Sequence, residues 1–180
     1  STILVKRVIY TVPSRLIGER LRLHIYHDRI EAYLGTTHAL TLPRHFSPGK
    51  NRRGRCVDYR HVIGSLECKP QAFRYSQIRD DLLPGETYRR IWKHLDRDLD
   101  PRAACKTIVG ILSLANRADC EAELGEYVLD KMTDNRVPTL HELEQRFEDK
   151  AVAIPDINVL VVSGEDYNIL LPASTPGEVC

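Results

Sequence analysis

The spacing of the hydrophobic residues changes once along this chain, and that change most constrains its fold. Over residues 20–34 apolar and polar residues alternate with a period of two, which is typical of half-buried β-strands. From residue 58 to residue 150 apolar residues recur every three or four positions, which is typical of amphipathic helices. We therefore predict an α+β chain: a small antiparallel β-barrel or meander followed by a bundle of short α-helices.

The β part is predicted to occupy residues 1–46. Three short strands lie around residues 8–12, 20–26 and 29–34, and a fourth contains residues 40–42. Four strands close a barrel poorly, so the alternatives are a meander and a barrel that lacks its first strand. The chain does not begin with Met, and we expect it to be part of a longer protein.

The helical part is predicted over residues 58–150, with five or six helices. Asp100-Pro101 combines an N-cap carboxylate with proline at the first helical position. Thr139-x-x-Glu142 is a capping box that begins the last helix. The apolar stripes of these helices are interpreted as core, with a partner-binding groove as the alternative.

Two segments have the composition of irregular structure. Residues 47–57 carry four basic residues and no acidic one, and we predict a basic linker loop there. Residues 151–180 contain four acidic residues and no Lys or Arg. That segment is predicted to be an acidic, largely irregular tail, although residues 158–162 would also suit one strand.

The net charge of +1 conceals two oppositely charged halves. Residues 1–95 contain 18 Lys or Arg against 8 Asp or Glu, whereas residues 96–180 contain 8 against 17. This asymmetry indicates a basic binding surface in the first half. The hydrophobic fraction of 42% excludes wholesale disorder, and no apolar run is long enough to cross a membrane.

The five cysteines indicate a reducing compartment. Their number is odd and their spacing wide, which does not suit a disulfide framework, so we expect the cytoplasm. Cys56, His61 and Cys68 are too loosely spaced for a structural zinc site. We predict no metal ligands.

A cluster of cations around the predicted loop is the candidate nucleic-acid site. Arginine pairs bidentately with phosphate oxygens, and each neutralised phosphate releases counterions. The alternative is an ordinary solvated loop. The cations of the exposed strand face, Arg20, Arg22 and Arg29 with Lys6 and Arg7, are a possible extension of this site, but we prefer to interpret them as the ordinary polar face of a half-exposed sheet. The candidate DNA-binding residues are Arg44, Lys50, Arg52, Arg53, Arg55, Arg60, His61, Lys69 and Arg74.

No motif in the chain predicts catalysis. Asp80-Asp81 and the series Asp96, Asp98 and Asp100 are carboxylate clusters. The second series lies where one helix ends and another begins, so capping and solvation explain it. There is no Gly-rich phosphate loop and no Gly-x-Ser-x-Gly. We predict that this chain is not an enzyme and holds no cofactor.

An ordered series of short motifs extends over about residues 3–150. The motifs are Tyr10-Thr11-Val12-Pro13, Leu16-Ile17-Gly18, Leu40-Thr41-Leu42-Pro43-Arg44, Asp58-Tyr59-Arg60-His61-Val62-Ile63 with Leu66, Lys69-Pro70-Gln71-Ala72-Phe73, Leu82-Leu83-Pro84, Tyr88-Arg89-Arg90-Ile91-Trp92 and Glu121-Ala122-Glu123-Leu124-Gly125-Glu126-Tyr127. Taken together in this order, they resemble the C-terminal region of IstA-type insertion-sequence transposases. Those proteins are in turn similar to the phage Mu transposase and retroviral integrases.

The resemblance implies a layout and a role. In the family a helix-turn-helix region and an RNase H-like domain, with Asp, Asp and Glu binding Mg²⁺, precede a Mu-type β-barrel and a helical part. This chain matches only the last two, so the catalytic carboxylates have no counterpart here and the Mg²⁺ is expected only with the missing domain. The implied partners are duplex DNA at transposon ends, other transposase protomers and the AAA+ helper ATPase IstB, in a bacterial cytoplasm close to the nucleoid.

Two functions follow as hypotheses. The first is a non-catalytic C-terminal part of a DDE-type transposase that binds transposon ends and helps to assemble the transposase during DNA transposition. The second is a protein–protein interaction module that docks protomers or the helper ATPase without touching DNA.

Overall fold

The computed structural model describes residues 1–49, 52–134 and 136–148, and it confirms the α+β prediction. Strands come first and helices follow. Three short 3₁₀ turns lie at Ser14–Leu16, Tyr59–His61 and Arg79–Asp81. The strands are β1 Thr2–Val5, β2 Val8–Thr11, β3 Leu21–Ile25, β4 Arg29–Leu34, β5 Thr37–Pro43 and β6 Gly54–Cys56. The helices are α1 Ile63–Cys68, α2 Ala72–Tyr75, α3 Gly85–Asp98, α4 Pro101–Ala118, α5 Glu121–Thr133 and α6 Leu140–Phe147.

The strands form two three-stranded sheets. In the first sheet β2 lies in the middle, antiparallel to β1 and parallel to β6. In the second sheet β3, β4 and β5 form an antiparallel meander. Within the described residues the two sheets do not close into a barrel, so the meander alternative describes β3 to β5.

Two strands were missed by the sequence analysis. The prediction of a loop through residue 57 is wrong for Gly54–Cys56, because these residues pair with β2, more than 40 positions earlier, and nothing in their own composition signals a strand. Strand β1 was missed because its turn to β2 is unusual. Lys6 and Arg7 both have positive φ (47° and 69°), where hairpins ordinarily place Asn and Gly.

The two sheets share one hydrophobic core. Alternate residues of the strands point into it, as the period of two predicted. The opposite face of the second sheet carries polar and aromatic side chains. The buried residues of this core are Val5, Val8, Tyr10, Val12, Leu16, Ile30 and Leu42.

Helix α4 is the centre of the helical core and packs against α1, α3, α5 and α6. Both predicted N-caps are confirmed. The Asp100 carboxylate accepts hydrogen bonds from the backbone N–H groups of Arg102 (2.9 Å) and Ala103 (3.2 Å). The Thr139 hydroxyl and the Glu142 carboxylate make the reciprocal bonds of the capping box. These bonds satisfy N–H groups that a helix start otherwise leaves unpaired.

Close packing of α3 on α5 depends on a glycine. A Cβ at Gly125 would lie 2.8 Å from Cε2 of Tyr88 and 3.3 Å from Cγ2 of Thr87. The Tyr88 ring is buried and its hydroxyl donates to the Glu121 carbonyl at 2.8 Å, so it cannot move aside easily. The predicted tail over residues 151–180 lies outside the described residues.

Candidate nucleic-acid interface

A groove between the β part and the helical part brings together three of the predicted arginines. It has a volume of about 750 Å³ and opens between β2, β6 and the segment that joins α2 to α3. We call it the arginine groove. Its basic and aromatic lining comprises His45, Phe46, Arg52, Arg53 and Arg55.

Two buried residues of β2 fix the walls of the groove. The Tyr10 side chain is buried, and its hydroxyl accepts a hydrogen bond from the His45 backbone N–H at 2.9 Å. Gly54 lies so close to β2 that a Cβ there would meet Cγ2 of Val8 at 3.0 Å and the Phe46 carbonyl oxygen at 3.3 Å. The Gly54 N–H donates to the Arg7 carbonyl at 3.0 Å. Glycine therefore lets β6 join the sheet while its two flanking arginines stay at the surface.

The connection into β6 is also held in place. The Ser47 hydroxyl donates to the carbonyl of Gly49 at 3.0 Å and lies within hydrogen-bonding distance of the Arg52 carbonyl. The Arg52 N–H donates back to the Gly49 carbonyl at 3.4 Å. These contacts hold the backbone of Arg52 in position, although its side chain is exposed. Lys50, the remaining predicted cation of this segment, lies outside the described residues.

The arginines of the groove differ in how they are paired. Arg52 and Arg53 are exposed, and no carboxylate among the described residues pairs with either. Arg55 makes an ion pair with Asp81 at 2.9 Å. Arg44, just outside the groove, donates to the Tyr26 carbonyl at 2.8 Å, and its guanidinium lies 5.1 Å from the centre of the Phe46 ring. Unpaired surface guanidinium groups are the ones most available to a phosphate.

Arg60 lies elsewhere, at the joint between the β part and α5. Its guanidinium is 3.3 Å from the Glu121 carboxylate and 3.9 Å from that of Asp119. The Tyr59 hydroxyl donates to the same Glu121 carboxylate at 3.0 Å. Burial raises the pKa of Tyr59, and the hydrogen bond to Glu121 raises it further. Burial likewise raises the pKa of Tyr88 beside it.

His61 belongs to the same joint. Its Nδ1 lies 3.1 Å from the Thr11 hydroxyl, which also accepts a hydrogen bond from the Asp58 N–H at 2.8 Å. The Ser14 hydroxyl donates to the His61 carbonyl at 3.2 Å. These bonds tie β2 to the start of the helical part, so Arg60 and His61 have structural partners and are not gathered with the groove.

Lys69 and Arg74 are also separate from the arginine groove. Arg74 pairs with Asp96, and its guanidinium lies 6.0 Å from the centre of the Trp92 ring. Lys69 is exposed at the rim of a second groove of about 1020 Å³. We call it the helical groove. It lies between the α1–α2 segment and α4, and its lining includes Tyr75, Arg102, Lys106, Val109 and Leu140.

The carboxylate cluster at residues 96–100 has structural roles. Asp96 pairs with Arg74, Asp98 pairs with Arg97 at 2.6 Å and Asp100 caps α4. Within the described part of the chain, no group of three or more His, Cys, Asp or Glu residues is placed to hold a metal ion.

Sequence reasoning missed part of the lining of the groove. Phe46 is 70% exposed, and its only signal in the sequence is its position two residues after Arg44. Gln77 and Asp81 reach the groove from the helical part, more than 20 residues beyond Arg55. A local pattern does not indicate such neighbours, because they are brought together by the packing of two parts of the fold.

Comparison with known proteins identifies a related protein but assigns no activity to this chain. No family model matches the chain, and no solved structure matches it. No helix of the described residues is long and apolar enough to cross a membrane. The chain is similar to the "Uncharacterized protein y4jA/y4nE/y4sE" of Sinorhizobium fredii (strain NBRC 101917 / NGR234), with 38% identity over 173 residues. The match covers 96% of this chain and 34% of that protein, so the chain spans about one third of the length of the curated relative.

Proposed function

We propose that this chain is the non-catalytic C-terminal part of a DDE-type transposase of the IstA kind. In this role it binds duplex DNA at transposon ends and contributes to transposase assembly. It acts in the bacterial cytoplasm, near the nucleoid. The proposal assigns no chemical step to the chain and rests on the arginine groove together with the motif series.

The observation that carries the proposal is the pair of exposed guanidinium groups of Arg52 and Arg53, which have no carboxylate partner among the described residues. Arg44 and Arg55 flank them in the sequence, and Arg55 would exchange Asp81 for a phosphate at little cost, because exposed ion pairs are weak. The net charge of the whole chain is only +1, so non-specific attraction by the whole molecule is small. Affinity for DNA should therefore depend on this local cluster.

Titrating the chain into a fluorescently labelled DNA duplex at low salt tests the proposal. Replacing Arg52 and Arg53 by Ala should weaken binding by more than about tenfold, because two phosphate contacts are lost. The matched control replaces Arg90 and Lys93 of α3, which are also exposed and have no carboxylate partner among the described residues. The proposal would be contradicted if the wild type did not bind duplex DNA. It would also be contradicted if the two double variants lost affinity equally.

The helical groove supports a second candidate function, docking of another protomer or of the AAA+ helper ATPase. Its lining is mainly apolar, and three cations without carboxylate partners in the described residues stand at it: Lys69, Arg102 and Lys106. Such a surface suits an acidic, amphipathic segment of a partner protein. A pull-down with the purified helper, repeated with Lys106→Glu, tests this: binding that the substitution abolishes supports docking, and no binding opposes it.

A further inference from the structure

The outer face of the β3–β4–β5 sheet carries a row of rings that the proposed function does not use. Tyr33 of β4 lies between His24 of β3 and His38 of β5. The ring centroids of Tyr33 and His24 are 4.8 Å apart, and those of Tyr33 and His38 are 5.4 Å apart. Both histidines are exposed and Tyr33 is half-buried. The row therefore crosses all three strands on the side away from the core.

A β-bulge places one member of this row. Ala32 pairs with Leu40, but the next residue, Tyr33, pairs with His38, so Ala39 is an extra residue in β5. Ala39 packs against the core beside Leu40. Without the bulge, strict alternation would put residue 39 opposite Tyr33 and turn His38 toward the core. Bulges commonly redirect a side chain in this way near binding sites.

The charge of this face is positive. Its acidic residue Glu31 already accepts hydrogen bonds from Nε of Arg29 at 2.8 Å and from the Tyr33 hydroxyl at 2.9 Å. The Arg29 guanidinium lowers the pKa of Glu31, and the Tyr33 bond lowers it further. Arg20 and Arg22 are exposed and have no carboxylate partner among the described residues.

The face continues into the arginine groove. Arg29 lies over the Tyr26 ring at 4.5 Å, and Arg44 donates to the Tyr26 carbonyl at 2.8 Å. The Arg44 N–H donates to the Asp28 carbonyl at 2.8 Å, and the chain then runs directly to Phe46 in the groove. A strand of DNA leaving the groove would therefore meet this face.

We propose that the outer face of the β3–β4–β5 sheet binds unpaired bases of single-stranded DNA next to the duplex held in the arginine groove. The inference rests on the proposed function and adds a second contact to it. Bases inside a duplex are stacked on one another, so aromatic platforms on a sheet select unpaired bases. Arg20 and Arg22 would follow the backbone of that strand.

The experiment compares two fluorescent DNA probes at one salt concentration. One is a blunt duplex, and the other is the same duplex with a single-stranded extension of about ten nucleotides, within the span that such platforms bind. The wild-type chain should bind the extended probe about tenfold more tightly than the blunt one, since stacking of one or more bases contributes on this scale.

Substitutions in the ring row test whether its rings cause the tighter binding of the extended probe. Tyr33→Ala should abolish the gain from the extension and leave blunt-duplex affinity unchanged, whereas Tyr33→Phe should keep the gain because it retains the ring. Replacing exposed His24 and His38 by Ala gives a second test that does not remove the half-buried ring. Tyr75→Ala is the matched control, because that tyrosine is 83% exposed on α2, outside the row.

The possible outcomes separate this inference from the proposed function. No gain from the extension in the wild type, or a gain that survives both Tyr33→Ala and the double histidine variant, overturns the inference alone. Failure to bind the blunt duplex, with the extension bound in a Tyr33-dependent manner, overturns the proposed duplex contact and leaves the sheet face as the binding site.

Discussion

Replacing Gly54 by Ala tests the link between the fold and the arginine groove without changing any charge. The new Cβ would lie 3.0 Å from Cγ2 of Val8 and 3.3 Å from the Phe46 carbonyl oxygen. Val8 is fully buried and the carbonyl belongs to the backbone, so neither can easily move away. We expect β6 to shift outward, which would displace both Arg53 and Arg55.

The expected change in the free energy of unfolding follows from two opposing effects. An extra methyl group forced into a packed site costs about 1–3 kcal/mol of stability. Replacing glycine restricts the unfolded chain and returns roughly 0.4–1 kcal/mol. The free energy of unfolding should therefore fall by about 1–2 kcal/mol. Duplex affinity should fall as well, because the guanidinium groups leave their positions.

Urea unfolding and duplex titration measure the two effects on the same protein. The matched control is Gly64→Ala, since a Cβ at that position of α1 would meet no heavy atom of the described residues within 4 Å apart from its chain neighbours and its own helix backbone. In a helix that change should stabilise the chain by up to about 1 kcal/mol and leave DNA binding unchanged. If Gly54→Ala is as stable as the wild type and binds DNA equally well, the proposed role of this close approach is wrong.

Three further predictions concern the helical part. Gly125→Ala should lower the free energy of unfolding by about 1–2 kcal/mol, because pressing its Cβ on the buried Tyr88 ring costs about 1–3 kcal/mol and the better helix propensity of Ala offsets up to about 1 kcal/mol; urea titration measures the loss, and unchanged stability would refute it. Asp100→Ala should cost about 1 kcal/mol through loss of the N-cap of α4, and Asp100→Asn should recover most of it in thermal melts. The pKa of Tyr59 is raised above its ordinary value of 10, so the stability linked to it is intact below pH 10 and is lost as the pH rises toward the folded-state value. Tyr59→Phe should flatten this alkaline loss, measured as urea midpoints against pH, and an unchanged profile would show that Tyr59 does not cause it.

The sequence predicted the strands and helix starts that depend on interactions between residues a few positions apart. The alternation in residues 20–34 and the caps at Asp100 and Thr139 are confirmed, because strand periodicity and N-capping act within a few residues. Strand β6 was not predicted, because its three residues are a strand only through their pairing with β2. Strand β1 was missed because Lys6-Arg7 is an unusual turn sequence.

In the candidate site, too, the sequence predicted what local composition determines and missed what folding brings together. Composition alone identified the cluster from Arg44 to Arg55, and three of its members line one groove. It also included Arg60 and Arg74, whose carboxylate partners lie 22 to 61 residues away in the sequence and emerge only after folding. The row around Tyr33 was not predicted, since a bulge in β5 decides which face His38 occupies.

The salt dependence of duplex affinity tests the central claim most directly. If Arg44, Arg52, Arg53 and Arg55 each neutralise one phosphate, log affinity should fall with log salt concentration with a slope of about −3.6. Replacing Arg52 and Arg53 by Ala should reduce the slope to about −1.8, while replacing Arg90 and Lys93 should leave it unchanged. Equal slopes for the wild type and the Arg52/Arg53 variant would contradict the assignment of DNA binding to the arginine groove.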